Sequence, residues 1–358
     1  GWSWRAGGNK NTFNVDDVGY ANASDVNMSV GALNSATYNT SNRWSDDYAG
    51  AAVSSGYAIT KAFDGDRTTA ARVEATQTAM SVDLTNITVI DKIEVRGERG
   101  YITPYVSVTV GGTTHQIGGD PSTLISGSAG TTSRVITGVS GALTNVTVGR
   151  VSSGRTFLSQ ILVDGKILVD DNITPPNAPS IAATGASVGT KQGFSIIKYT
   201  GTGTAGTISH GLLEQPKFVI IKDLKNANAW AVQHVATTLG TGLLKLNATN
   251  VVDNSVASAL WNSIAPTSSV FSVGTSGDVN YTTNSAEYIA YLWHDVPGLQ
   301  KFGKYTGINN ADGVYVELGF RPAVLMVKRT AGASANWYIM DKETQKINPV
   351  VEALEPNT

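Results

Sequence analysis

Short apolar runs that alternate with polar positions recur along the whole chain. Ala79–Leu84, Val89–Arg96, Tyr105–Val110 and Asn145–Val148 follow a period near two, as a strand with one buried face does. Ile161–Val169, Phe194–Tyr199, Phe218–Lys222, Ala229–Val235, Leu243–Asn247, Val270–Val273 and Tyr288–Trp293 continue the series. Turns such as Gly111-Gly112 and Gly118-Gly119 separate several of them. Helical periodicity is nearly absent, and the best helix candidate is the short stretch Ser255–Trp261. Strands at this spacing without intervening helices predict an all-β chain of serial antiparallel β-sandwich or jelly-roll modules.

Two breaks divide the pattern. Residues 172–192 contain Pro175-Pro176, which denies backbone donors to a ladder, so the stretch is expected to be a linker. Val296-Pro297-Gly298 marks the second break, after which the chain starts again. Tyr199-Thr200-Gly201 recurs as Tyr305-Thr306-Gly307, and Pro216 and Lys222 recur as Pro322 and Lys328 at the same offset. Trp230 matches Trp337 after a one-residue insertion. So many special residue types in register predict a true internal repeat. The expected organisation is a connector at 1–43, a β-sandwich at 44–171, the linker, a first repeat at 193–298 and the start of a second at 299–358. Beginning at Gly1-Trp2-Ser3-Trp4 and stopping within a repeat, the sequence reads as an excerpt of a longer protein.

Composition narrows the function classes. Only 15% of residues are charged, below the roughly 25% of ordinary soluble domains. A net charge of −2 argues against a broad electrostatic footprint for nucleic acid. No apolar run approaches the roughly 20 residues needed to span a bilayer as a helix. The absence of cysteine excludes a disulfide framework, a thiolate nucleophile and thiolate metal sites. Hydrophobic residues still make up 41%, too many for a disordered chain.

Catalytic constellations are sparse. His115, His210, His234 and His294 fall at turns and strand ends, and no nucleophile elbow accompanies them. The acidic pairs Asp16-Asp17, Asp46-Asp47 and Asp170-Asp171 are adjacent, so on a strand they point to opposite faces. Gly201–Gly206 fits G-x-G-x-x-G by letter, but a strand follows, so it reads as a hairpin loop. Asp64 and Asp66 around Gly65 suit either a tight calcium loop or an Asx turn that caps the next element. Among the tryptophans, Trp230 and Trp337 are expected in cores. Trp261, in the polar run Leu260–Ser263, is a candidate exposed ligand-binding residue. Eight Asn-x-Ser/Thr sequons are what so Asn-, Ser- and Thr-rich a chain generates by chance.

The run KAFDGDRTT (61–69), followed by a β-rich stretch that ends SQILVDGKILVD (159–170), resembles the discoidin group of galactose-binding-like jelly rolls. That resemblance covers about 44–170 and implies a structural calcium at the Asp64 loop. The Trp that usually follows the loop is replaced by Thr69-Ala70-Ala71, which removes the sugar-stacking role of that position. Residues 193–358 resemble more closely a repeat of marine bacteriophage and cyanophage tail fibres. The resemblance rests on GFSIIKYTGTGTAGTISHGL, LWNSIAPTSSVFSVG, EYIAYLW and the second start KFGKYTG. The opening GWSWRAGGNKNTFNVDDVGYA is similar to the connector that precedes this repeat, which makes 44–171 a domain inserted at a surface loop.

These resemblances imply a non-enzymatic virion-surface appendage that adheres to a host-cell glycan. They further imply other virion proteins as partners, a homotrimeric state and no nucleic-acid or membrane partner. A purely structural capsid, baseplate or tail decoration, and the binding portion of a polysaccharide-degrading fibre, are the alternative expectations.

Overall fold

The computed structural model describes residues 4–23, 28, 32–39, 42–66, 68–74, 79–97, 105–117, 132–149, 155–173, 179–310, 312–343 and 353–358. Trp2, Arg67, Gly118-Gly119, Pro175-Pro176 and Asn27 lie outside them. The architecture is all-β, in several mainly antiparallel sheets with little helix. The chain forms two compact units. Unit one combines Gly1–Ser29 with Pro179–Thr358, and unit two is Val30–Ala178.

Unit one begins with β1 (Phe13–Val15) and β2 (Val18–Tyr20), joined through Asp16 and Asp17 at positive φ. The chain then builds unit two. Its first elements are β3 (Ala32–Asn34), α1 (Ser35–Tyr38), β4 (Ala71–Val73), β5 (Ala79–Val89) and β6 (Lys92–Gly97). Next come β7 (Tyr105–Val110), β8 (Thr113–Ile117), β9 (Thr132–Thr137) and β10 (Gly141–Gly149). The unit closes with β11 (Thr156–Leu158), β12 (Gln160–Val163) and β13 (Lys166–Val169).

One sheet of unit two has the order β5-β10-β7-β8 and another β3-β13-β12-β6-β9. Alternate residues of β5, β7 and β10 join one core with Trp44, Phe63, Ile161, Val163 and Leu168. Trp44 is fully buried and donates its indole N–H to the Leu33 carbonyl, 3.1 Å away. The β12–β13 hairpin is buried on both faces. Its other side chains, Leu162, Ile167 and Val169, form a second cluster with Ala32. That explains its continuously apolar sequence.

The hairpin turns at Asp164 and Gly165, both at positive φ, the backbone that a two-residue turn requires. The Asp164 carboxylate accepts from the backbone N–H groups of Ile90, Asp91 and Lys92 at 2.8, 3.0 and 2.9 Å. Beside it Lys166 is buried, and desolvation lowers its ammonium pKa to about 7 against the pull of Asp164. The folded state thus releases this proton at a lower pH than the unfolded chain does. Lys166 therefore makes stability rise as pH climbs from about 7 toward 10.5. Lys166→Met is expected to remove that rise and to stabilise the chain at pH 7 by up to about 2 kcal/mol, because Asp164 keeps its three donors. Chemical denaturation at pH 7 and pH 10 checks this; a clear loss of stability at pH 7 would contradict it.

Unit one resumes with β14 (Ala183–Gly189), β15 (Phe194–Thr200), β16 (Gly206–Ser209), β17 (Phe218–Asp223), β18 (Ala231–His234) and β19 (Leu244–Lys245). It continues through α2 (Ala257–Trp261), β20 (Val270–Val273), β21 (Glu287–Trp293), β22 (Val324–Lys328) and β23 (Trp337–Asp341). Its main sheet runs β19-β18-β17-β21-β15-β14-β1-β2, and β1 and β14 pair in parallel. β14 lies within the expected linker. Its ATGASVG sequence carries little apolar alternation, but the strand is held between β1 and β15.

One face of this sheet carries Phe194, Phe218, Ile220, Val232, Leu244 and Trp293. The opposite face buries Tyr199, Val219, Ile221, Tyr288, Ala290 and Leu292. Tyr199 and Tyr288 stack there at 5.2 Å, and Tyr199 meets Phe271 of β20 edge-on. The Gly201–Gly206 loop is not a hairpin, because β16 leaves the main sheet to pair with β20. Buried Asn280 holds it by accepting from Thr202 N–H and donating to the Thr204 carbonyl, both at 2.7 Å. A Cβ at Gly201 would meet the Tyr281 carbonyl at 2.0 Å, so only glycine fits there.

The internal repeat is structural. β22 and β23 pair with Lys328 opposite Trp337 and Val327 opposite Tyr338; in β17–β18, Ile221 stands opposite Ala231. Aligning Lys222 with Lys328 and Trp230 with Trp337 superimposes the two registers without a shift. The bridge Ile339–Leu354 then corresponds to Val232–Leu244 between β18 and β19. Lys222 donates to the Asn228 carbonyl, and Lys328 to the Ala335 carbonyl, each two residues before the tryptophan. The Trp230 N–H donates to the Asn247 side chain, as the Trp337 N–H does to Asn357. Trp337 packs into the Phe194–Phe218–Trp293 cluster and donates its indole N–H to the Lys245 carbonyl at 2.9 Å.

Candidate functional site

Trp261 is fully buried and donates its indole N–H to the Gly242 carbonyl at 3.2 Å, so it is a core residue and no exposed ligand-binding platform. The polar residues after it have another cause. Asn262 and Ser263 adopt left-handed backbone and stop α2, a role that favours Asn over apolar types. Trp230 is half-buried and Trp337 buried, both within one apolar cluster.

In unit two, the Asp64 and Asp66 carboxylates are engaged by their own loop. Asp64 accepts from the Asp66 N–H at 2.9 Å and the Thr69 hydroxyl at 2.6 Å. Asp66 accepts from the Thr68 N–H and hydroxyl, both at 2.7 Å. These bonds, the Thr68 N–H first, hold the Asp66 carboxyl below its ordinary pKa. Gly65 takes the positive φ of the turn and its carbonyl accepts from Gln160 at 3.2 Å. Among the described residues no third His, Asp or Glu joins the pair. These are the bonds of consecutive Asx turns, and they occupy three of the four carboxylate oxygens. Asp64→Ala is expected to lower stability by about 1 kcal/mol, equally with and without a calcium chelator. A melting temperature that chelation lowers in the unsubstituted chain, but not in the variant, would instead mark a bound cation.

Unit two also carries a basic and aromatic cluster. The Arg72 guanidinium lies 3.7 Å from the centre of the Tyr57 ring, and Phe157 meets that ring edge-on. Glu74 accepts from Arg72 at 2.7 Å, Arg155 at 3.3 Å and Ser54 at 2.8 Å. Two guanidinium groups share one carboxylate here.

Unit one holds a cleft of about 620 Å³ at one end of its main sheet, where three distant segments meet. Thr190 and Lys191 follow β14, Glu214–Lys217 precede β17, and His294–Pro297 follow β21. The sheet positions all three. Lys217 N–H donates to the Trp293 carbonyl at 2.7 Å, and His294 N–H to the Gly193 carbonyl at 3.1 Å. Thr190 is fixed by Asp16, which accepts from its N–H at 2.9 Å and its hydroxyl at 2.5 Å. Gln215 donates to the Pro266 carbonyl at 2.7 Å and accepts from the Lys217 ammonium at 3.3 Å.

The rim is a Pro-Gly turn. Gly298 has φ +75°, and Leu299 N–H returns to the Val296 carbonyl at 3.0 Å, as a type II turn requires. Gln300 reaches back to the carbonyls of Gly193 and His294 at 3.0 and 2.7 Å. Asp295 accepts from the Phe302 N–H at 2.7 Å. The cleft thus joins two ammonium groups, two carboxylates, an amide and an imidazole to the apolar wall of Val296 and Pro297. His294-Asp295 and the Pro-Gly break were legible in the sequence. Lys191, Glu214 and Lys217 carry no sequence signal, because only the sheet brings them to one place.

Beneath this end His234 sits between Phe218 and Phe302, its Nδ1 accepting from the Ala236 N–H at 2.9 Å. Burial lowers its pKa to about 4, opposed by Asp295. The unfolded chain therefore takes up this proton first as pH falls below about 6.5. Stability contributed by neutral His234 is present above that pH and lost toward pH 4. His234→Asn keeps an acceptor for Ala236 and is expected to reduce the pH 6.5-to-4 loss of stability by on the order of 2 kcal/mol. Equal losses in both proteins would contradict this reading.

No curated protein matches the chain. Among solved structures, a truncated AlyQ with CBM32 and alginate lyase domains matches at a TM-score of 0.21 with 10% identity. That match covers 69% of this chain and 98% of the other. The model of a domain of unknown function, DUF7483, matches residues 173–358, just over half of the chain, so the protein belongs to the DUF7483 family.

Proposed function

We propose that the chain is a non-enzymatic adhesion segment of a virion-surface appendage, a bacteriophage tail fibre, whose β-modules bind host-surface glycan. The observation that carries this reading is the cleft at the end of the unit-one sheet. Its side chains offer hydrogen-bond donors and acceptors of both charges within one concavity, and Val296 and Pro297 supply a small apolar wall. A sugar presents the complementary surface, a ring of hydroxyls around a C–H face. Lys191 and Lys217 suit an acidic sugar in particular. The resemblance of residues 193–358 to tail-fibre repeats supports the virion setting.

Binding of the full chain to a panel of neutral and uronate-containing oligosaccharides tests this. Saturable binding is expected, with at least a tenfold weaker affinity for Lys217→Glu on the acidic members. No binding across the panel, or binding that Lys217→Glu leaves unchanged, would contradict it. A second reading, a polysaccharide-cleaving cleft, is favoured by the presence of Glu214 and Asp295 in the same concavity. It requires release of reducing ends from a host polysaccharide, abolished in Glu214→Gln.

A further inference from the structure

The two copies of the repeat are built to the same register but finished differently. In the first copy β17 lies between β18 and β21, with Ile221 opposite both Ala231 and Ala290. Among the described residues, β22 pairs with β23 alone and offers its other edge. The side chains on the corresponding face confirm the difference. Val219 and Ala231 are 1% and 0% exposed, whereas their equivalents Leu325 and Tyr338 are 46% and 38% exposed. Tyr199 is fully buried and donates its hydroxyl to the Val279 carbonyl at 2.6 Å; its equivalent Tyr305 is 55% exposed. Residues 301–308 and 313–318 form no strand, although 304–307 repeat the KYTG that ends β15.

The first copy shows what covers such a face. Residues 249–298 supply it: β20, whose Phe271 meets Tyr199 edge-on, with α2 packed on β20, and β21, whose Tyr288, Ala290 and Leu292 lie beside the strands on either side. The other face of β22–β23 is already taken, since Met326 and Trp337 pack into the first copy's cluster. One edge and one apolar face therefore remain, both with a defined register.

We propose that the β22 edge and the Leu325–Val327–Tyr338 face form a docking site for one class of occupant. That occupant is a segment with the pattern of residues 249–298, whose β21-like strand inserts between β22 and the Tyr305 stretch. By analogy with Ile221–Ala290, its central small residue stands opposite Val327. The site admits a small residue there because Tyr338 replaces Ala231 on the neighbouring strand and occupies part of the same face. An exposed apolar edge strand is otherwise a template for uncontrolled pairing. This inference is independent of glycan binding.

The test uses the full chain with a second copy of residues 249–298 joined after Thr358, the position that corresponds to Ala248. Amide hydrogen exchange at Val324–Lys328 is expected to slow at least a hundredfold, to the range of β17, and exchange at Tyr305–Ile308 to slow with it. The same fusion with Asp in place of the duplicated Ala290 is expected to lose that protection while β17 keeps its own. Unchanged exchange at Val324–Lys328 in the fusion overturns the proposal, as does protection that the Asp substitution leaves intact. Protection of β22 in the unmodified chain that grows with concentration, alongside a dimer in sedimentation, would overturn it in favour of a second copy of the chain.

Discussion

The placement of β17 between β18 and β21 is the interaction on which unit one depends. A strand as apolar as Phe218–Ile221 buries side chains on both faces, so both of its edges need partners and both of its faces need cover. β21 meets that need on one side and also pairs with β15, which ties the two halves of the repeat together. The stacked Tyr199 and Tyr288 follow from the β15–β21 register, and the cleft at the sheet end from the β17–β21 register. His294 and Lys217 face the same space because Trp293 and Phe218 are register partners.

The same constraint explains why two copies of one pattern look different. Strand type, register, the lysine that caps a carbonyl and the asparagine that holds the tryptophan N–H are local and recur in both copies. Burial of KYTG and of the second face is not local: it requires strands that arrive from elsewhere. Tyr199 is therefore core and Tyr305 surface, though they stand in the same sequence context.

This division also sets what could be read beforehand. Tyr105–Val110 was legible because period-two alternation reflects one strand meeting one core, and Tyr288–Trp293 because a short, continuously apolar run marks a strand covered on both faces. β14 was not, because its Gly, Ala and Ser positions give no apolar alternation and its partners β1 and β15 define the strand. Trp261 was misread because polarity around it belongs to a helix stop and says nothing of where the indole points. The candidate cleft was the least legible part. Its charged residues come from three segments that meet only once β14, β17 and β21 lie side by side. The Asp64 loop stood between two readings in the sequence, and the hydrogen bonds it makes are those of turn formation.

Electrostatics follow the packing in both units. Lys166 and His234 are displaced downward from their ordinary values for one reason, desolvation, because each rests on a strand or strand end committed to the core. Native-state hydrogen exchange on the unmodified chain tests the central role of β17 pairing most directly. Amides of Phe218–Asp223 are expected to exchange orders of magnitude more slowly than those of Val324–Lys328, in spite of their matching registers. Equal protection of the two strands at low protein concentration would contradict it.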